Sequence, residues 1–350
     1  MSALGSKPKY EVWRMLAGHT QGITVLRFSP DGRLLATGAT DSYVLIWSMK
    51  HASLIQRIAN YASGPVTDLI WVTAQSQEIL LVFALADGTV HFYRPVVRVI
   101  LCAHTWAIES IDYDPFHHRF SNLYNGLNLH YIGVSALRKC SPNHGEMCRR
   151  VQFIDAGNTL VATFMESSKL LIFVRITWAV EPWKRISEIT LSPNRNGTSK
   201  AGYSLITSDG AFILIDNIHN GVDAYDMSSA QHIATFHAPL SIHKPRHLAI
   251  DDLNSVVVLG SDKGIVYVHD FSTAAPVQTM IHSKNREPVQ AVALYSQPGR
   301  GWIASGGSCD NPVIVIWKKR TSYGHFQLAM YGVLSLIGVL GAAWYHNFPL

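Results

Sequence analysis

The sequence contains few charged residues and few cysteines. Only 15% of its 350 residues are Asp, Glu, Lys or Arg, and only four are cysteines. Four cysteines are too few for a disulfide framework in a chain of this length, which is typical of a protein in a reducing compartment. The N-terminal stretch MSALGSKPKYE lacks the apolar core of a secretory signal peptide. We therefore expect the main body to face the cytosol.

Basic residues are too scattered to indicate a nucleic-acid-binding protein. The formal net charge is +5, and lysines and arginines occur in short clusters such as Lys318-Lys319-Arg320. Binding to nucleic acid usually leaves a stronger basic footprint or a recognisable module, and the sequence has neither. We therefore expect no nucleic-acid partner.

Motifs of catalysis and of cofactor binding are absent as well. The chain has no G-x-S-x-G elbow, phosphate-binding loop, dinucleotide fingerprint or H-E-x-x-H pair. Cys140, His144 and Cys148 have side chains that suit zinc, but they lack the C-x-x-C spacing of such sites. We favour an ordinary loop there. The sequence thus predicts no catalytic residue, no cofactor, no metal and no small-molecule substrate.

A repeated three-strand pattern runs through the chain instead. Its clearest copy extends from Gly18 to Trp47, where the apolar runs ITVLRF, LLATG and YVLIW are separated by the turn signals SPDG and DS. Short apolar runs joined by such turns are typical of an antiparallel meander. Eroded copies follow at intervals of about 40–50 residues, the length of one four-stranded propeller blade.

The copies predict an all-β fold, a seven-bladed β-propeller within residues 1–320. The last copy lacks a fourth strand, and residues 9–16 (KYEVWRML) have the composition of a strand. We expect this N-terminal strand to close the last blade, because a closed ring has no exposed sheet edge at that point. The predicted blades cover about 17–60, 61–98, 99–145, 146–178, 179–236, 237–282 and 283–320.

The first copy resembles a WD-repeat blade. Gly18-His19, the SPDG turn, Thr37, Asp41 and Trp47 stand in the order of that family's motif. The resemblance implies that His19, Thr37, Asp41 and Trp47 form a hydrogen-bonded network inside the blade. A buried indole N–H and a buried hydroxyl both need such partners. The network is expected to be structural, and not a catalytic triad.

The same resemblance implies a non-enzymatic platform for protein partners. In a WD-type blade the turns between the second and third strands, here called the b–c turns, lie on one face of the ring. We expect these turns to face the partner, whose identity the sequence leaves open. The predicted partner-facing residues are Asp41, Asp87, Asp209, Asp262 and Asp310.

The chain ends in an uncharged apolar segment, LAMYGVLSLIGVLGAAWY, at residues 328–345. As an α-helix it would be about 27 Å long, which is close to the thickness of the hydrocarbon core of a bilayer. Aromatic residues flank it, and the basic cluster at 318–320 precedes it, which places the propeller in the cytosol. We predict a single transmembrane helix at 326–346 that anchors the propeller to a membrane, with the endoplasmic reticulum as the expected location.

Three alternatives remain at this stage. The first is a soluble cytoplasmic adaptor, for example a ubiquitin-ligase substrate receptor, with its tail packed on the propeller. The second is a membrane-bound exchange factor, which the architecture alone resembles. The third is an enzyme with its site in the propeller channel. The triplet Asn196-Gly197-Thr198 fits the glycosylation pattern, and glycan attachment at Asn196 would contradict the cytosolic orientation.

Overall fold

The apolar runs of the sequence fold into short antiparallel strands. The computed structural model describes residues 9–59, 64–73, 78–94, 98–102, 107–117, 119–124, 126–131, 134–140, 148–164, 169–174, 184–190, 202–242, 244–251 and 256–320. These residues contain 28 strands, and the one helical element among them is a 3-10 turn at Asp155–Gly157. The described part of the chain is thus all-β.

The described strands form seven four-stranded antiparallel sheets, which we number from 1 to 7 along the chain. Sheet 1 contains β2 (Ile23–Phe28), β3 (Leu34–Ala39), β4 (Tyr43–Ser48) and β5 (Ser53–Ala59). Sheet 2 contains β6 (Val66–Thr73), β7 (Ile79–Leu85), β8 (Thr89–Tyr93) and β9 (Arg98–Cys102). Sheet 3 contains β10 (Ser110–Asp114), β11 (Arg119–Tyr124), β12 (Gly126–Tyr131) and β13 (Val134–Cys140).

The remaining sheets follow the same order. Sheet 4 contains β14 (Cys148–Ile154), β15 (Thr159–Phe164), β16 (Lys169–Val174) and β17 (Lys184–Thr190). Sheet 5 contains β18 (Ser204–Ile206), β19 (Phe212–Asp216), β20 (Gly221–Asp226) and β21 (His232–His237). Sheet 6 contains β22 (Leu248–Asp251), β23 (Val256–Leu259), β24 (Ile265–Asp270) and β25 (Pro276–Ile281). Sheet 7 contains β26 (Val289–Gln297), β27 (Arg300–Gly307), β28 (Val313–Lys319) and β1 (Tyr10–Ala17).

The N-terminal strand completes sheet 7, as the sequence predicts. β1 pairs antiparallel with β28, with Tyr10 opposite Lys319 and Ala17 opposite Val313. The first strand of each sheet also lies against the first strand of the next sheet, and the first strand of sheet 7 lies against that of sheet 1. The seven sheets therefore close into a ring.

The hydrophobic core lies between neighbouring sheets. Val44 of sheet 1 packs with Leu69 and Phe83 of sheet 2, and all three side chains are fully buried. A similar cluster joins sheet 7 to sheet 1, where Trp302 and Trp47 belong to one core. Because each sheet buries both faces against its neighbours, the inner strands read as nearly continuous apolar runs.

The predicted boundary between the fourth and fifth blades, at 178/179, is displaced by one strand. β17 is the fourth strand of sheet 4, where it pairs with β16, whereas the prediction made it the first strand of the fifth blade. β18 is consequently the first strand of sheet 5, and not its second. The predicted boundary at 98/99 likewise cuts β9 from sheet 2. An apolar run identifies a strand, but not the strand's place within a blade.

This displacement moves Asp209 to the opposite face of its sheet. The prediction placed Asp209 in a b–c turn, but the residue lies between β18 and β19, the first and second strands of sheet 5. The Thr207 hydroxyl donates to its Oδ1 at 2.6 Å, as the Ser29 hydroxyl donates to Asp31 in the corresponding turn of sheet 1. Both kinds of turn place an Asp before a residue with positive φ, so this local signal does not distinguish them.

Three predicted features lie outside the described residues. They are the transmembrane helix at 326–346, the glycosylation triplet at 196–198 and His144 of the zinc hypothesis. Within the described ranges, no helix has the length and apolar character needed to cross a bilayer.

Candidate functional site

Sheet 1 brings the four residues of the predicted network into hydrogen-bonding contact. Trp47 Nε1 donates to Thr37 Oγ1 at 3.1 Å, and Thr37 Oγ1 lies 2.8 Å from His19 Nε2. His19 Nδ1 lies 3.1 Å from both carboxylate oxygens of Asp41. Because a carboxylate only accepts, Nδ1 carries the proton and Nε2 accepts from the Thr37 hydroxyl. The chain of bonds is therefore self-consistent with a neutral imidazole.

Burial and charge explain why this network is structural. Burial alone raises the pKa of the Asp41 carboxyl, but the hydrogen bond and charge interaction with His19 and the backbone N–H of Thr20 outweigh it, so the pKa lies below its usual value. Thr37 is fully buried and His19 is 4% exposed. A hydroxyl without solvent access cannot attack an external substrate. The network ties the loop before β2 to the b–c turn of sheet 1.

A second network, which the sequence analysis missed, lies in sheet 7. Trp317 Nε1 donates to Ser305 Oγ at 2.9 Å, and Ser305 Oγ lies 2.8 Å from His282 Nδ1. The Ser305–Trp317 pair is the signal that could have revealed it, because it occupies the same strands of its sheet as Thr37 and Trp47. The histidine was overlooked because Ile281 precedes it, where the first copy has a glycine.

Protonation of His282 should make the protein less stable in mild acid. Burial lowers the pKa of His282 to about 4, whereas an unfolded histidine titrates near 6.5. The unfolded state therefore binds more protons between about pH 4 and 6.5, and stability falls as the pH drops through that range. Between pH 7 and 5, His282→Gln should lose about 2 kcal/mol less than the unmodified protein does. Urea unfolding of both proteins at the two pH values measures this difference, and equal losses would contradict it.

Four of the five predicted partner-facing aspartates lie in b–c turns. Asp41, Asp87, Asp262 and Asp310 each follow the second strand of their sheet, whereas Asp209 lies at the other face. The Asp87 carboxylate accepts from the backbone N–H of Thr89 at 2.9 Å, and its side chain is exposed. Asp310 is exposed as well. One face of the ring thus presents a series of acidic turns.

The centre of the ring contains an ionic network that the sequence analysis also missed. Asp68 of β6 accepts from Arg27 Nη2 at 3.4 Å and from Arg150 Nη1 at 3.0 Å. Arg27 Nη2 also donates to the Tyr203 hydroxyl at 2.6 Å. Because Arg27 belongs to sheet 1 and Tyr203 precedes the first strand of sheet 5, this bond crosses the centre of the ring.

Aromatic contacts complete this central network. The Arg150 guanidinium lies 4.9 Å from the centre of the Tyr203 ring, and His247 stacks on the same ring at 4.1 Å. Asp68 also accepts from the backbone N–H of Ile111 on β10 at 3.1 Å. Sheets 1 to 5 therefore converge on one cluster of side chains, which was hidden in the sequence because its members are spread over 220 residues (27–247).

The surroundings of the central network shift the pKa values of its members. Burial raises the pKa of Asp112 to about 6, although the Arg150 charge opposes the shift. Burial, together with Arg27 and Arg150, holds the pKa of His247 well below its usual value. At neutral pH the two arginines are therefore matched by Asp68 and Asp112, and His247 is neutral. This balance suits a brace between sheets.

Metal ligation has no candidate in the described part of the chain. No group of three or more His, Cys, Asp or Glu side chains is placed there so as to hold an ion. The side chains of Cys140 and Cys148 lie outside what the structure describes.

Comparison with known families identifies the first repeat. Residues 10–48 match the model of the WD domain, G-beta repeat. This match covers sheet 1 together with β1 and includes His19, Thr37, Asp41 and Trp47. The predicted resemblance to the WD-repeat family is thereby confirmed, with the match limited to the first copy.

Several proteins share parts of this sequence. POC1 centriolar protein homolog of Drosophila melanogaster is 44% identical over 59 residues, which is 17% of this chain and 15% of that protein. Protein HIR1 of Yarrowia lipolytica is 31% identical over 120 residues, or 29% of this chain and 11% of its own length. One subunit of mouse (Mus musculus) chromatin assembly factor 1 is 43% identical over 44 residues, covering 13% and 8%. The chain matches only a small part of each relative.

The solved structures establish the fold. The β-propeller domain of Cps50 (Swd1) from Myceliophteria thermophila superposes with a TM-score of 0.69 at 16% identity. The superposition covers 88% of this chain and 99% of that domain. The described sheets therefore have the arrangement of a WD-type β-propeller.

Proposed function

From a chain that combines one WD40 repeat with a propeller fold, we propose a non-enzymatic scaffold that recruits protein partners through the b–c face of a seven-bladed ring. The observation that carries this proposal is the position of Asp41, Asp87, Asp262 and Asp310 on one face. Rigid strands hold these turns in place, which reduces the entropy lost on binding. Two of the relatives are named as subunits of larger assemblies, chromatin assembly factor 1 and eukaryotic translation initiation factor 3.

Charge reversal on the b–c face should abolish partner recruitment. Asp87→Arg combined with Asp310→Arg places cations where the partner meets an acidic surface. Like-charge contacts across an interface cost several kcal/mol. We expect recovery of cross-linked partners from cells to fall at least about tenfold, equivalent to about 1.4 kcal/mol.

The matched control reverses two acidic turns on the other face. Asp155→Arg combined with Asp209→Arg makes the same change in charge, and both residues are exposed in turns between first and second strands. Partner recovery should stay within about twofold of the unmodified protein. If both pairs of substitutions reduce recovery equally, the proposed face is wrong.

We further propose that the C-terminal segment anchors this scaffold to a membrane, with the propeller in the cytosol and the endoplasmic reticulum as the expected site. The support is the uncharged run at 328–345, with the basic cluster Lys318-Lys319-Arg320 before it. β28 ends at Lys319 as the third strand of its sheet, on the face opposite the b–c turns. An anchor that follows this strand would leave the b–c face open to the cytosol.

Membrane extraction tests the anchor. The full chain should remain in the membrane pellet after alkaline carbonate treatment, whereas a chain that ends at Arg320 should appear in the supernatant. Release of the full chain would support the alternative of a soluble adaptor. Glycosylation of Asn196 in the same cells would contradict the cytosolic orientation.

A further inference from the structure

A cleft opens between sheets 6 and 7 on the b–c face. Its volume up to the open mouth is about 360 Å³, which is at the small end of ligand pockets. Apolar walls come from Leu240, Ile242, Pro288 and Val289. Ile242 is 51% exposed at the rim, so an apolar contact is available to a partner.

A buried arginine lines this cleft and has one free donor group. Arg246 is 2% exposed, and its Nε donates to Asp216 Oδ1 at 3.2 Å. Its Nη1 donates to the carbonyl oxygens of Ala238 and Gly260 at 2.7 and 2.9 Å. Its Nη2 is buried and has no acceptor among the described residues. Leaving a charged donor unpaired costs about 1–3 kcal/mol or more, so a partner for Nη2 would bind favourably.

A carboxylate in the same cleft has one free acceptor oxygen. Asp262 Oδ2 accepts from the backbone N–H groups of Ser241 and Ile242 at 2.6 and 2.7 Å. Its Oδ1 is buried and has no donor within the described part of the chain. The two backbone bonds hold the carboxylate in place, so Oδ1 is available at a defined position.

The charges of the cleft balance one another. Arg246 is neutralised by Asp216, and the exposed Lys244 at the mouth offsets Asp262. A ligand carboxylate would face Asp262, and a ligand ammonium would face Arg246. A neutral group that both accepts and donates satisfies the two free atoms without either conflict, and the amide is the common group of this kind in proteins.

We propose that this cleft binds a peptide segment of the partner through one amide group, with a leucine-like side chain on the apolar wall. The amide C=O accepts from Arg246 Nη2, its N–H donates to Asp262 Oδ1, and the aliphatic side chain contacts Leu240 and Ile242. The proposal rests on the recruiting face proposed above. It adds the chemistry that the face recognises.

Three small probes test the proposal without knowledge of the partner. N-acetyl-leucinamide is neutral, N-acetyl-leucine is anionic, and leucinamide is cationic below the α-amino pKa of about 7.7. We expect the full chain in detergent solution to bind the neutral probe with a dissociation constant on the order of millimolar, as suits its size. Binding of the two charged probes should be at least about tenfold weaker. Saturation-transfer NMR on the probe measures all three.

Two variants locate the binding. Ile242→Asp should weaken binding of the neutral probe at least about tenfold, whereas Ile281→Asp, which changes an isoleucine that is 66% exposed on β25, should leave it unchanged. Asp262→Asn offers a donor in place of an acceptor, so it should shift the preference from N-acetyl-leucinamide towards N-acetyl-leucine. Equal binding of the three probes, or no effect of Ile242→Asp, overturns the proposal.

The outcome separates this inference from the proposed function. If the neutral probe binds as expected while reversal of Asp87 and Asp310 leaves partner recovery intact, the cleft is correct and the larger recruiting face is wrong. If reversal removes the partners while the probe fails to bind, the cleft inference alone falls.

Discussion

Replacing Asp68 by alanine should lower the free energy of unfolding by about 3–5 kcal/mol. Asp68 is 1% exposed and is the carboxylate that Arg27 and Arg150 share at the centre of the ring. Its removal leaves the Arg150 guanidinium buried with a carboxylate less, and an uncompensated buried charge costs far more than an ion pair gains. The backbone N–H of Ile111 also loses its acceptor. Urea unfolding followed by far-UV circular dichroism measures the loss.

Two further variants decide whether the loss comes from the unpaired charge. Asp310→Ala removes an exposed carboxylate and should change the stability by less than about 0.5 kcal/mol. Combining Asp68→Leu with Arg150→Met removes both buried charges, and this pair should recover a large part of the stability that Asp68→Ala loses. A loss below about 1 kcal/mol for Asp68→Ala would show that the central network does not brace the ring.

The sequence predicts the fold well where the signal is local. The all-β propeller fold, the WD-type first repeat and the N-terminal closing strand depend on apolar runs and turn residues that lie next to one another in the chain. The predicted transmembrane helix and the partner-facing surface remain predictions. Strand order within a blade was harder to predict, because β17 and β18 are both short apolar runs followed by turn residues.

Asp209 and the central network illustrate two different limits. Asp209 was misplaced because Asp followed by a residue with positive φ suits the turn after a first strand as well as the turn after a second strand. Arg27, Asp68, Arg150 and Tyr203 were missed for another reason. Each is a single polar residue on or next to an inner strand, and only closure of the ring brings residues so distant in sequence within hydrogen-bonding distance.

The substitution Trp47→Ala should destabilise the protein by a similar amount, about 3–5 kcal/mol. Trp47 is 3% exposed and belongs to the core that joins sheets 7 and 1. The chain passes closely over its ring at Gly18, where an added Cβ would lie 3.1 Å from Trp47 Cη2. This contact explains why a glycine precedes His19. Truncation therefore leaves a cavity beneath the loop that carries the histidine.

Trp47→Phe and Thr37→Val separate packing from hydrogen bonding. Trp47→Phe keeps most of the packing and loses the indole N–H, so it should cost about 1–2 kcal/mol, less than alanine does. Thr37→Val removes the acceptor of Trp47 Nε1 and the partner of His19 Nε2. Since both substitutions break the same bond, the double variant should lose less stability than the sum of the two single losses, by at least about 0.5 kcal/mol. Strict additivity in thermal unfolding would mean that Trp47 stabilises the blade through packing alone, and that the order of His, Thr, Asp and Trp in the first repeat reflects shape more than hydrogen bonding.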